Sequence, residues 1–306
     1  MTSPLRLTDI IATVVIAMAL LGTMVAARHS AQEANSIAGC ALNLQRLGAA
    51  LSQYQLRENG AFPRTRYEPD ARVTAYTGAE AQNPFAIDGP AANDVTAAAF
   101  LLAREMEVPA GVFTCPAALR NGLGEVDTFD ATTLRQRSNF AARVHYNYSV
   151  VNMYPSRAAI AAGYSLDRFA QNRPASFVIA GDTNPGGNDV ATATTQTSRR
   201  QLRLSNSPNH QRNGQNFLFA DGRVEYSSTP FVAGTYDNAY ASGGLFFQPI
   251  SADDAVLLPV WTDGPDVIPS ALRLRRWVLV SASVATAAIL GVIIIRGRRR
   301  SAVPRV

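Results

Sequence analysis

Two uninterrupted apolar runs, one toward each end of the sequence, constrain this chain more than any other feature. Residues 10–27 form an 18-residue stretch without a charge, and residues 277–295 form a 19-residue stretch without one. As helices they reach roughly 27–29 Å, about the hydrocarbon thickness of a bilayer. The polar region between them is long enough for one large domain. A cytosolic enzyme does not have this layout, and the near-zero mean hydropathy conceals it.

Charge follows the same division. All 28 basic residues are Arg. From Arg28 to Leu272, 19 Arg stand against 22 acidic residues, a net charge of −3, whereas the last 34 residues hold eight Arg and no acid. The basic excess therefore lies beside the second apolar run. The stripe of basic and aromatic residues that nucleic-acid binding needs is missing from the middle. Arg296, Arg298, Arg299, Arg300 and Arg305 outweigh Arg273, Arg275 and Arg276, which places the tail in the cytoplasm and Trp277 at the outer interface. The expected layout is a short cytoplasmic start (1–9), a membrane segment (10–27), its helical extension (28–62), an extracytoplasmic globular domain (63–272), a second membrane helix (277–295) and an Arg-rich cytoplasmic tail (296–306). Two other readings stay open. The first run also suits a signal peptide cut after Val25-Ala26-Ala27, and the second suits a sorting tail removed after export.

The first run does not stop at the membrane boundary. Ile37, Cys40, Leu44, Leu47, Leu51 and Tyr54 recur at spacings of three and four, an apolar seam on one helix face. Gly60 and Pro63 then end the pattern. The spacing predicts one helix over 8–59, packed in cis on the domain or paired as a coiled coil. Farther on, Asn93-Asp94 caps a helix over 95–107 that Pro109 ends. Residues 145–152 and 176–180 read as strands. Residues 216–220 and 223–226 flank Asp221-Gly222 as a hairpin with a type I′ turn, and 183–200 reads as a long loop. Helix first and strands later give an α+β fold with an antiparallel sheet. Outside the cytoplasm, Cys40 and Cys115 are candidates for a disulfide, the alternative being two buried thiols that never meet.

Scattered matches give this layout a family. They are Cys40-Ala41-Leu42-Asn43-Leu44-Gln45-Arg46-Leu47-Gly48, Asn59-Gly60 and Phe62-Pro63, then Val112-Phe113-Thr114-Cys115-Pro116 and Tyr146-Asn147-Tyr148-Ser149. Ala180-Gly181-Asp182-Thr183-Asn184-Pro185 follows, and the most specific piece is His210 through Asn216-Phe217-Leu218-Phe219-Ala220-Asp221-Gly222. In that order they resemble the type IV pilins and type II secretion pseudopilins, in particular a bacterial group with a C-terminal H-x9-DG motif. Here ten residues, not nine, separate His210 from Asp221. The family's processing Gly and the Phe after it correspond to Pro4 and Leu5, and its fifth-position Glu to Asp9. The resemblance implies a pilin-like domain at the bacterial inner membrane. It also implies assembly through Asp9 with other pilin-like subunits or secretion-platform proteins.

Few residues suggest chemistry. Asp182, Asn184, Asn188 and Asp189 form an oxygen-rich loop, and some pseudopilins bind calcium in such a loop. His210, Asp182 and Asp221 could be drawn as a hydrolytic set, but no nucleophile-elbow motif accompanies them. The expected function is non-enzymatic: a fixed, two-anchor component or scaffold of a secretion or pilus-like system, touching lipid and pilin-like partners but not nucleic acid. The alternative is a surface-display or sensing protein with a processed tail.

Overall fold

A single helix organises the rest of the molecule. The computed structural model describes residues 7–78, 81–166, 173–244 and 248–259. The chain divides into two compact units, Met1–Thr262 and Asp263–Val306, and every described residue belongs to the first. Pro4, Leu5, the second apolar run and the Arg-rich tail lie outside the described residues.

Helix α1, Leu7–Arg57, runs 51 residues without interruption. Its first half exposes Val14, Ile16, Leu20, Leu21, Met24 and Val25, and it is long and apolar enough to cross a membrane. Its second half buries Cys40, Leu44, Leu47, Leu51 and Tyr54, with Ile37 half-buried. Each fully buried Leu contributes about 1.5–3 kcal/mol. The seam therefore packs in cis. Beyond α1, Asn59 and Gly60 turn left-handed, and the Gly60 amide donates to the Gln55 carbonyl at 2.7 Å.

The other α-helices among the described residues are short: α2 (Val95–Met106), α3 (Pro116–Arg120), α4 (Ala131–Gln136), α5 (Arg157–Ala161), α6 (Asn188–Ala191) and α7 (Arg199–Leu202). Asp94 caps α2, accepting from the Ala97 amide at 2.9 Å. The end of α2 differs from the sequence expectation. Glu107, two residues before Pro109, adopts a left-handed conformation and stops the helix at Met106. The stretch 183–200 is also not a plain loop, since α6 and the start of α7 lie within it.

The strands β1 (Tyr148–Val151), β2 (Val178–Asp182), β3 (Gln215–Phe219), β4 (Val224–Ser227) and β5 (Leu257–Leu258) form one antiparallel sheet in the order β4-β3-β2-β1-β5. β1 is shorter than expected because Arg143–His145 forms a 3-10 turn. All four of its residues are buried, so both faces are covered. The hairpin falls where expected, but its turn does not. Only Gly222 has a positive φ, 86°, while Asp221 does not. The Gly222 amide donates to the Phe219 carbonyl, and Phe219 pairs with Arg223 around a three-residue loop. That is a type I turn closed by a left-handed glycine, not a type I′ turn.

Helix α1 lies on β3, β4 and β2 and is flanked by α2 and α3. Its approach to β3 is close: a Cβ at Gly48 would sit 2.9 Å from Leu218 Cδ2. The other face of β3 meets Tyr240, whose ring centroid is 5.6 Å from that of Phe217. Beneath α2, Phe140 stacks on Tyr146 and meets Phe100 and Phe113 edge-on, with centroids 5.0–5.4 Å apart.

Cys40 and Cys115 are bonded, with their Cα atoms 5.0 Å apart. Asn43 donates to the carbonyl of Thr114 at 3.1 Å and so holds the same junction one turn on. The bond spans 75 residues of chain. Its removal in a double Cys40→Ala, Cys115→Ala chain is expected to cost about 4 kcal/mol of stability by loop closure. Chemical denaturation of the full chain in detergent, with and without reductant, checks this value.

Candidate functional site

The sheet register builds the site. Tyr148 pairs with Asp182 across β1 and β2, and the β2–β3 register brings Asp182 beside Asn216. These three side chains share the sheet face that α1 covers. The Asp182 carboxylate is fully buried. Its Oδ2 accepts from the Asn216 amide at 2.6 Å and from Asn216 Nδ2 at 3.1 Å, and its Oδ1 accepts from Asn209 Nδ2 at 3.2 Å. Asn209 Nδ2 also donates to the Asn147 carbonyl at 2.7 Å.

His210 arrives on a turn whose sequence dictates it. Ser207 caps a 3-10 turn over Pro208–His210, Pro208 supplies its first position, and Gln211 closes it in a left-handed conformation. The imidazole has no exposed surface. Nε2 lies 3.2 Å from Asp182 Oδ2, and Nδ1 lies 3.2 Å from Glu33 Oε1 on α1. Two carboxylate partners at that distance require both ring nitrogens to donate, which makes the ring an imidazolium. Arg120, at the end of α3, completes the set. It reaches Glu33 Oε2 and donates to Ser36 Oγ at 2.5 Å and to the Gln32 carbonyl at 2.7 Å. Two cations thus balance two carboxylates. The Tyr226 ring stands edge-on to the imidazole at 6.0 Å. The Cys40–Cys115 bond lies alongside, with Cys115 Sγ 3.8 Å from Nε2.

The electrostatics follow from these contacts. Burial alone would lower the His210 pKa, but the Asp182 charge and the hydrogen bonds to Asp182 and Glu33 outweigh it and raise the pKa to about 9. The hydrogen bond from His210 is the leading reason that Glu33 is held below the ordinary carboxylate range, with Arg120 adding to it.

The structure unites some of the sequence candidates and separates others. His210 meets Asp182, and the disulfide forms beside them. Asp221 does not join. It sits at the hairpin tip, accepting from the Arg223 amide at 3.1 Å and pairing with its guanidinium. The oxygen-rich loop is likewise divided. Asp182 is engaged with Asn209, Asn216 and His210, away from the rest of that loop. The Asn184 amide donates to the carbonyls of Tyr240 and Leu257, whereas Asn188 and Asp189 are exposed on α6. The calcium reading gains no support from this placement. Asp9 lies in the first turn of α1. Glu33 and Arg120 complete the cluster without having been singled out from sequence, while Asn209 and Asn216 belong to the stretch around His210 that carries the family resemblance, with no site role expected of them. For Glu33 a signal existed: it precedes Ile37 by four residues and so extends the seam by one turn.

No family model, curated protein or solved structure matches this chain.

Replacing His210 with Gln leaves Asp182 buried without its cation and is expected to cost about 3–5 kcal/mol. The pH dependence has a definite sign. A raised histidine pKa contributes stability that is complete below its ordinary value of 6.5 and is lost as pH rises through about 9. The native chain should lose about 3 kcal/mol over that range, and the His210→Gln chain should lose little. Denaturation midpoints across the pH series compare the two directly.

Proposed function

We propose that this chain is a non-enzymatic, pilin-like membrane protein, a fixed two-anchor component or scaffold of a type II secretion or pilus-like system. The observation that carries the reading is the continuity of α1. An apolar half, bare along its length, runs without a break into a half docked on an antiparallel sheet and bonded through Cys40 to Cys115. Such a helix connects a bilayer, or a bundle of like helices, rigidly to a folded domain.

The second apolar run separates this reading from that of a fibre subunit. Leaving the membrane would draw Arg296, Arg298, Arg299 and Arg300 through the hydrocarbon, at a cost of about 10 kcal/mol on the insertion scale. The chain is therefore a stationary partner of pilin-like subunits. Two measurements test this. The intact mass of the protein from its native membrane should be that of the unprocessed sequence, and purified, sheared fibres should lack it. Full-length chain in those fibres, or loss of Met1–Pro4 with one added methyl, would contradict the reading in favour of assembly. Loss of the C-terminal run would contradict it in favour of surface display.

A further inference from the structure

We infer that Cys40, Cys115, His210 and Asp182 form a redox-gated site for a tetrahedral divalent metal of the zinc type, closed while the two sulfurs are bonded to each other and opened when they are reduced. The inference is independent of the pilin-like reading.

The ligand set is assembled by the fold. One ligand atom from each of the four residues lies within 4.8 Å of all the others, and all four residues are buried. Zinc holds sulfur at about 2.3 Å and nitrogen or oxygen at about 2.0–2.2 Å, so its tetrahedral ligands stand about 3.3–3.8 Å apart. His210 Nε2 is already 3.8 Å from Cys115 Sγ and 3.2 Å from Asp182 Oδ2. The two bonded sulfurs must separate, and the other ligand atoms have at most about 1 Å to close. The ligands come from α1, the residue before α3, the end of β2 and the Pro208–His210 turn. The set therefore exists only in the folded chain.

The surrounding shell is that of a metal ligand set. Zinc-binding histidines typically donate their second ring N–H to a carboxylate or carbonyl, which fixes the tautomer that points its lone pair at the metal. Glu33 is placed for that role, 3.2 Å from Nδ1, and Arg120 anchors Glu33 in turn. Asn209 holds the second oxygen of Asp182. With the sulfurs bonded, the same imidazole carries its extra proton toward Asp182 and no metal is needed.

The exchange balances. A dithiol donates two electrons and two protons, breaking the sulfur–sulfur bond and becoming a disulfide itself. Metal binding then releases the two thiol protons and the Nε2 proton of His210. In reverse, a disulfide-bearing oxidant takes two electrons from the thiolates, the Cys40–Cys115 bond re-forms and the ion leaves as His210 regains its proton.

The test uses the full chain in detergent, without a polyhistidine tag, titrated with cobalt(II) alone after treatment with an excess of a phosphine reductant. The phosphine takes oxygen from water as it reduces the bond. The expected result is one cobalt per reduced chain, with a thiolate-to-cobalt charge-transfer band and intense tetrahedral d–d absorption, displaced by zinc. The untreated disulfide chain should take up none. Glu33→Gln keeps all four ligands and should weaken cobalt binding by about 10–100-fold. Three results would each overturn the inference: no thiolate–cobalt band in the reduced chain, equal uptake by the disulfide form, or unchanged affinity in Glu33→Gln. The last would mean that two thiols in an opened chain, not the folded set, hold the ion, and circular dichroism of the same samples would show that opening.

Discussion

His210 lies between two carboxylates with no surface exposed to water, and the rest of the domain is arranged around that fact. An imidazolium in such a place is tolerable only if both of its N–H groups and both carboxylates are matched. Asp182 supplies one partner from the sheet and Glu33 the other from α1. Asn209, Asn216 and Arg120 then satisfy the oxygens that remain. Sliding α1 by one turn would leave a buried charge unpaired. The cluster therefore sets the register of the helix on the sheet, where apolar packing alone would accept several positions. Cys40 lies two helical turns beyond Glu33 on the same face, and its bond to Cys115 fixes the choice covalently.

The exposed apolar half of α1 acquires its meaning from this clamp. The helix leaves the domain within two turns of Glu33 and continues as a bare apolar rod. A helix held at one end by ion pairs, a disulfide and the Leu44–Tyr54 seam transmits position and torque from its apolar half to the domain. The glycine at position 48 shows how tightly the two halves of the core are pressed, since no side chain fits between α1 and Leu218 without displacement.

What was legible in the sequence was local or periodic. The three-and-four spacing from Ile37 to Tyr54 marks the buried face of α1, Asp94 announces the start of α2, and Asp221-Gly222 locates the hairpin. The errors were also local in kind. A left-handed Glu107, not Pro109, ends α2, and a type I turn with Gly222 replaces the expected pair of positive φ angles. The candidate site was only half legible. His210 and Asp182 were visible as residues that could carry chemistry, but nothing in their spacing pairs them. Glu33 is 177 residues from His210 along the chain. That contact exists because β2, β3 and the Pro208–His210 turn all end beneath one stretch of α1. β5, two residues long and paired only at the sheet edge, has no periodic signature.

The second half of α1 and the sheet form one cooperative unit, clamped at Glu33–His210–Asp182 and Cys40–Cys115. Native-state hydrogen exchange on the full chain in a lipid disc tests it most directly. The amides of residues 39–51 in α1 and of 215–219 in β3 should exchange together, at the slowest rate in the domain, and reductant should speed both by the same factor. If the α1 amides open well before those of β3, or if reductant speeds one set and leaves the other unchanged, helix and sheet are separate units and the clamp is not what joins them.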